Sequence, residues 1–201
     1  MNFQQSETKE CLARAFAGIC QDGARYQFIA KSAMSEGYEY IAQELKSIAK
    51  NKMAHASVLY QLMLNNIEEY KENVNIEAGY PFESYKLETS LKNSAEIEKY
   101  EGKNVFSHFA KIAHDEEFLE IEKALLLICD VNLKNAQKLE FLAEKFDEGT
   151  LYQGEKDSLW ECSNCGHSEK KKQAWENCPL CNYPKGYVII KNNTWQMKIL
   201  W

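Results

Sequence analysis

Apolar residues recur at alternating spacings of three and four through most of the first 150 positions. That rhythm is the one a helix needs to present a single greasy face to a core. Four segments carry it. The first runs from about residue 6 to 36, with Leu12, Ala15, Ile19, Asp22, Tyr26, Ile29 and Ala33 on one stripe, and Gly37 ends it. The second spans about 38–67, with Ile41, Leu45, Ile48, Lys52, His55, Leu59 and Leu62. The third spans about 89–114, with Leu91, Ser94, Glu98, Glu101, Val105, His108 and Ile112. The fourth spans about 115–147, with Phe118, Ile121, Leu125, Ile128, Asn132, Asn135, Leu139, Leu142 and Phe146. About twenty residues, including Gly79-Tyr80-Pro81, separate the second helix from the third. That is too long for a tight antiparallel turn and suits a crossover running the length of a bundle.

Each stripe is interrupted near its middle. Asp22, Lys52 with His55, Glu98 with Glu101, and Asn132 with Asn135 fall where apolar residues are expected. The last three pairs are spaced i, i+3, so both members project from one helix face. Buried charges are costly unless paired or bound to metal. Four interruptions at similar depth therefore point to one shared polar site.

A different signal follows residue 157. Cys162-Ser163-Asn164-Cys165 and Cys178-Pro179-Leu180-Cys181 are two Cys-x-x-Cys pairs separated by twelve residues. This arrangement brings four thiolates to one tetrahedral ion, and iron and zinc both suit it. Gly166 and Asn182 follow the pairs, and these are the residue types that best tolerate a positive φ. The remaining cysteines, Cys11, Cys20 and Cys129, lie within helical patterns and read as buried inert thiols. His167 is superfluous if all four cysteines bind. The expected division is a bundle over 1–148, a linker over 149–157, and a small metal-binding domain with its tail over 158–201. The apolar end, Thr194 to Trp201, is expected to form a last strand or to pack on a partner.

Charge narrows the partners. The net charge of −6 is uneven. Residues 154–201 hold seven lysines against five acids, or +2, and the rest holds 17 basic against 25 acidic residues, or −8. A bundle that acidic is not expected to bind nucleic acid. Lys170-Lys171-Lys172 reads as a solvated loop. No apolar run reaches the length of a membrane span and the N-terminus lacks the pattern of a signal peptide, so a cytoplasmic protein is expected.

Trp160 ahead of Cys-x-x-Cys-Gly, then Cys-Pro-x-Cys with Tyr183, Pro184, Tyr187 and Val188 as apolar cover, resembles rubredoxin over about residues 158–190. With Ala15-Phe16-Ala17-Gly18, Arg25-Tyr26, Glu36-Gly37-Tyr38-Glu39 and Phe109-Ala110-Lys111, the whole chain resembles the rubrerythrin family. The resemblance implies an all-α ferritin-like four-helix bundle with a long crossover, followed by a rubredoxin-like domain. It also implies a homodimer, and a di-iron centre that reduces peroxide with electrons from a partner chain's rubredoxin iron. The family's ligand pattern is only partly kept. Its first-helix Glu is Ile19 here. The Glu of Glu-x-x-His on the second helix is Lys52, with His55 retained. Glu98 and Glu101 survive on the third helix. Asn132 and Asn135 replace Glu-x-x-His on the fourth, and a supporting tyrosine is Phe106.

Two carboxylates and one histidine are too few for two hard iron ions. The expectation is that Lys52 pairs with Glu98 or Glu101, that Asn132 and Asn135 complete the hydrogen bonds, and that no di-iron is held. One metal on His55, Glu98, Glu101 and Asp22 is the alternative. Three functions stay open: electron transfer through iron in the four-cysteine site; a peroxide reductase using a residual or remodelled metal site in the bundle; and a zinc-stabilised structural or partner-binding protein. A redox partner protein is implied by the first.

Overall fold

A computed structural model describes residues 2–67, 73–82, 86–154 and 158–191. Helix α1 (Glu7–Ser35) and α2 (Glu39–Asn66) form an antiparallel pair. Helix α3 (Leu87–Tyr100) runs through a π turn (Glu101–Val105) into α4 (Phe106–Asp115), and α5 (Leu119–Asp147) packs back against both. Three short strands follow, β1 (Leu159–Cys162), β2 (Ser168–Lys170) and β3 (Val188–Ile190), in an antiparallel sheet of order β2-β1-β3. Its register sets Trp160 opposite Glu169 on one side and Ile190 on the other. This is the expected fold: four long helical rods, a crossover, then a small cysteine-rich sheet.

The helices stop for local reasons. Gly37, with φ of +84°, ends α1 while Tyr38 N–H donates to the Ala33 carbonyl at 2.8 Å. The α4–α5 turn repeats this geometry: Glu117 has φ of +68° and Phe118 N–H donates to the Ala113 carbonyl at 2.8 Å. The Glu116 carboxylate in that turn reaches across to the start of α1. It accepts from the backbone N–H of Glu7 at 3.0 Å and of Thr8 at 2.8 Å, where the free N–H groups of a helix favour an anion.

The third helical stripe differs from expectation in its second half. Val105 and Ile112 are only half-buried and His108 is exposed, while Phe106, Ala110 and Ala113 face the core. The π turn is the cause. One extra residue rotates everything beyond it by about 100° relative to an unbroken α-helix. Gly102 inside the turn permits close approach to α5: a Cβ there would lie 3.1 Å from both the Cys129 carbonyl oxygen and Leu133.

The bundle core is split in two. One apolar cluster gathers Tyr26, Ile29, Ile41, Leu45, Leu91, Leu139 and Leu142, and it also takes in Leu151 from beyond α5. The other gathers Leu12, Ala15, Ile19, Leu59, Phe106, Leu125 and Ile128. The polar interruptions lie between them. In the sheet region, Trp160, Ala174, Trp175 and Val188 pack around Cys162 and Cys178. Tyr183 and Pro184, expected as apolar cover, are exposed, and Tyr183 stands edge-on to Tyr187 with ring centres 4.7 Å apart. Trp175, just ahead of Cys178, is buried in this cluster. The small domain sits on the α1–α2 turn of its own chain, so close that a Cβ at Gly186 would collide with the Gly37 carbonyl oxygen. The expected terminal strand, Thr194 to Trp201, lies outside the described residues. No helix among the described residues is long and apolar enough to cross a membrane.

Candidate metal centre and buried ion cluster

The two Cys-x-x-Cys turns converge. The sulfurs of Cys162, Cys165, Cys178 and Cys181 all lie within 4.8 Å of one another, with Cys162–Cys181 at 3.7 Å and Cys165–Cys178 at 3.6 Å. A tetrahedral ion with metal–sulfur bonds of about 2.3 Å requires sulfur–sulfur edges of about 3.8 Å. Two of the six edges match that length and the others stay within 4.8 Å, so the four thiols are close enough to share one ion. The two turns are built alike. Gly166 N–H donates to the Cys162 carbonyl and Asn182 N–H to the Cys178 carbonyl, each at 2.8 Å, with φ of +75° and +60°. That is the positive φ expected at both positions. The Tyr183 backbone N–H stabilises the Cys181 thiolate and brings that thiol down to about 6. Asn164 Nδ2 adds a contact to the same sulfur at 3.6 Å. Cys162 and Cys178 are buried, whereas Cys165 and Cys181 are partly open to solvent. His167 leans on the Trp175 ring at 5.2 Å and is not a member of the sulfur group.

The second site lies between the two halves of the bundle core. Lys52 Nζ sits 2.8 Å from Glu98 Oε1, 3.1 Å from Asp22 Oδ2 and 3.2 Å from Glu101 Oε2, with none of its side chain exposed. It also donates to Asn132 Oδ1 at 3.3 Å. The amides close the remaining carboxylate valences: Asn132 Nδ2 donates to Glu101 Oε2 at 3.3 Å and Asn135 Nδ2 to Glu98 Oε2 at 3.4 Å. Tyr26 Oη donates to Glu98 Oε1 at 2.8 Å, and Arg25 Nη2 to Asp22 Oδ1 at 2.7 Å. Lys52 thus meets both expected glutamates, and Asp22 as well. The sequence reading missed Arg25 and Tyr26 as members. Arg25 is three residues after Asp22 on the same helix, and that spacing was the available signal.

His55 lies at the edge of this cluster. It is the residue of the expected polar set that stands apart, absent from the Asp22, Glu98 and Glu101 group, with its buried Nδ1 unpartnered among the described residues. Burial and the nearby Lys52 charge both lower its pKa, favouring neutral imidazole. A lysine one turn away on the same helix has taken the central position.

Electrostatics follow from the packing. Burial alone would deprotonate Lys52, but Glu98, Asp22 and Glu101 outweigh it and raise its pKa, so it stays an ammonium. Burial raises the Glu101 carboxyl to about 8; Lys52 opposes this, while Asp22 and Glu98 add to it. A folded-state pKa above the unfolded value favours the folded state when the group is protonated. Glu101 therefore contributes stability that is complete below about pH 4.5 and lost as the pH rises through about 8. Glu101→Gln is expected to flatten this decline in urea melts between pH 5 and pH 9. An unchanged slope would show that Glu101 titrates normally.

The rubrerythrin family profile matches residues 10–132. The chain belongs to the rubrerythrin family. A rubrerythrin of Clostridium perfringens is 31% identical over 191 residues, covering 94% of this chain and 97% of the relative. A putative rubrerythrin of Methanocaldococcus jannaschii is 32% identical over 193 residues, covering 92% and 93%. Nigerythrin solved in a partially reduced state superposes with a TM-score of 0.60 over 95% of this chain and 94% of that one; at 24% identity the likeness speaks to fold. Within the rubrerythrin fold, the interrupted stripes gain their meaning: the positions that lie between the core halves carry Lys52, Asn132 and Asn135 beside the acids.

Proposed function

We propose that this rubrerythrin-family protein transfers electrons through iron in its four-cysteine site, and that an internal ammonium stands where the family resemblance implies a di-iron centre. The observation carrying this reading is Lys52 Nζ within 3.2 Å of three carboxylates at zero exposure. Two ferrous or ferric ions need anionic donors in numbers sufficient to offset at least four positive charges. Here the nearby donors are Asp22, Glu98 and Glu101, all engaged with one lysine, while Asn132 and Asn135 are neutral amides. A cation at the centre repels any metal that approaches it.

Cys162, Cys165, Cys178 and Cys181 would hold one ion as thiolates, and bound iron would supply a one-electron couple. The chain's contribution is to set the environment of that couple. Trp160, Trp175 and Val188 keep water from one side. Cys165 and Cys181 reach the surface beside the exposed Leu180, which leaves an apolar edge for a redox partner to approach. Hydrogen bonds from backbone amides to sulfur favour the more negative, reduced site. A homodimer belongs to the same reading. Apolar residues left exposed on α2, among them Met53, Val58 and Leu64, support pairing with a second copy.

Metal analysis of protein from its native host tests this directly. One iron per chain is expected, with visible absorption that bleaches on dithionite. Three irons per chain overturns the ammonium core. One zinc and no colour replaces electron transfer with a structural role, and peroxide turnover by metal-counted protein replaces it with reductase activity.

A further inference from the structure

A cavity of about 690 Å³ opens between α1, the crossover segment 73–82 and the π turn. It reaches the buried ion cluster at one point, Glu101. That carboxylate keeps 17% of its side chain exposed, against 2% for Asp22 and 0% for Glu98. Aromatic rings form much of the remaining wall, with Phe106 and Phe109 on the inner side and Tyr100 at the rim. Tyr80 closes over Gly18, where a Cβ would meet its ring carbon at 3.5 Å; its hydroxyl is buried yet has no hydrogen-bond partner among the described residues. A buried hydroxyl without a partner on a residue of a cavity wall is unusual, and a ligand atom reached by a small turn of the ring is one way to satisfy it.

The charges around this space select the ligand. The cluster sets three carboxylates, Asp22, Glu98 and Glu101, against two cations, Lys52 and Arg25. Glu101 is the acid that meets the cavity: while it holds its proton the cluster is balanced, and an ammonium arriving from the cavity takes that proton's place beside the ionised carboxylate. Glu77 and Glu96 add further acid at the exposed edge. Arg14 is the one basic residue on the wall; its Nη2 is paired with Glu10, while its buried Nε has no partner among the described residues. Aromatic faces attract cations in the same way. We propose that the cavity binds a small organic ammonium ion, a protonated amine on a flat apolar body, with Glu101 as counter-ion and Tyr80 Oη accepting a second hydrogen bond. The apolar body lies against Phe106 and Phe109. This proposal rests on the reading that Lys52, not metal, fills the core, since a metal would engage Glu101.

Isothermal titration of the full-length protein with phenethylamine, 2-phenylethanol and 3-phenylpropionate, at a pH above 8 where Glu101 is ionised, tests the assignment. The three probes share a body and differ in charge. The amine is expected to bind about tenfold tighter than the alcohol, with the carboxylate weakest. Glu101→Gln should remove the amine's advantage over the alcohol. Tyr80→Phe, on the crossover and outside the ion cluster, should weaken the amine severalfold while leaving the melting temperature in place. Equal affinity for amine and alcohol, preference for the carboxylate, or no binding of any probe overturns the proposal. So does amine binding that neither variant alters. Metal counted on the same sample reports separately on the core: failure to bind with one metal per chain defeats the cavity assignment alone.

Discussion

Lys52→Met is expected to destabilise the protein by about 3–5 kcal/mol at neutral pH, the usual cost of removing one partner from a buried ion pair. Methionine matches lysine closely in length, so little of the loss comes from an empty cavity. It comes from charge. Asp22 keeps Arg25 at 2.7 Å, but Glu98 and Glu101 lose their shared cation. Tyr26 and the two asparagines still donate hydrogen bonds, which do not neutralise two largely buried acids. Burial then raises the folded-state pKa of Glu101 without Lys52 to oppose it. The variant should be most stable near pH 5 and lose stability as the pH climbs through neutrality, more steeply than the wild type. Urea denaturation at several pH values measures this. A loss below about 1 kcal/mol with wild-type pH dependence would mean that the lysine is not the cation of this site.

Cys162→Ser combined with Cys178→Ser should abolish metal binding and unfold the sheet domain while sparing the bundle. The domain has three strands of three or four residues and a core of six buried side chains, two of them the mutated cysteines. A unit that small rarely folds without a metal or disulfide, and binding a structural ion contributes about 10–16 kcal/mol in comparable peptides. Trp160 and Trp175, now buried, should become solvated and shift their fluorescence to the red. Far-ultraviolet circular dichroism should keep the helical signal, because both bundle clusters draw almost wholly on the helices. Unshifted tryptophan emission would show that the sheet domain does not need its ion.

Much of this architecture was legible before folding was considered. Helical spacing is local, so α1, α2 and α5 fall within a few residues of where the stripes place them, and Asp22, Lys52, Glu98, Asn132 and Asn135 stand out as polar residues in apolar register. The paired cysteines are legible for a similar reason: each turn is set by four consecutive residues, down to the positive φ at Gly166 and Asn182.

Other features depend on contacts that no local pattern encodes. The π turn shifts the inward face from Val105, His108 and Ile112 to Phe106, Ala110 and Ala113, because one inserted residue changes phase without changing composition. Trp175 is buried in the cluster around the sulfurs while Tyr183 and Pro184 are exposed, a choice made by three-dimensional packing. By itself the sequence determined that four helices surround a polar layer and that four thiols meet at one point. Only the tertiary structure decided that Lys52 lies centrally, that His55 stands aside, that Arg25 balances Asp22, and that Glu101 alone of the three acids lines a cavity. Periodicity says which residues face inward, whereas the partner of a buried charge is settled by distances between helices that are far apart in the chain.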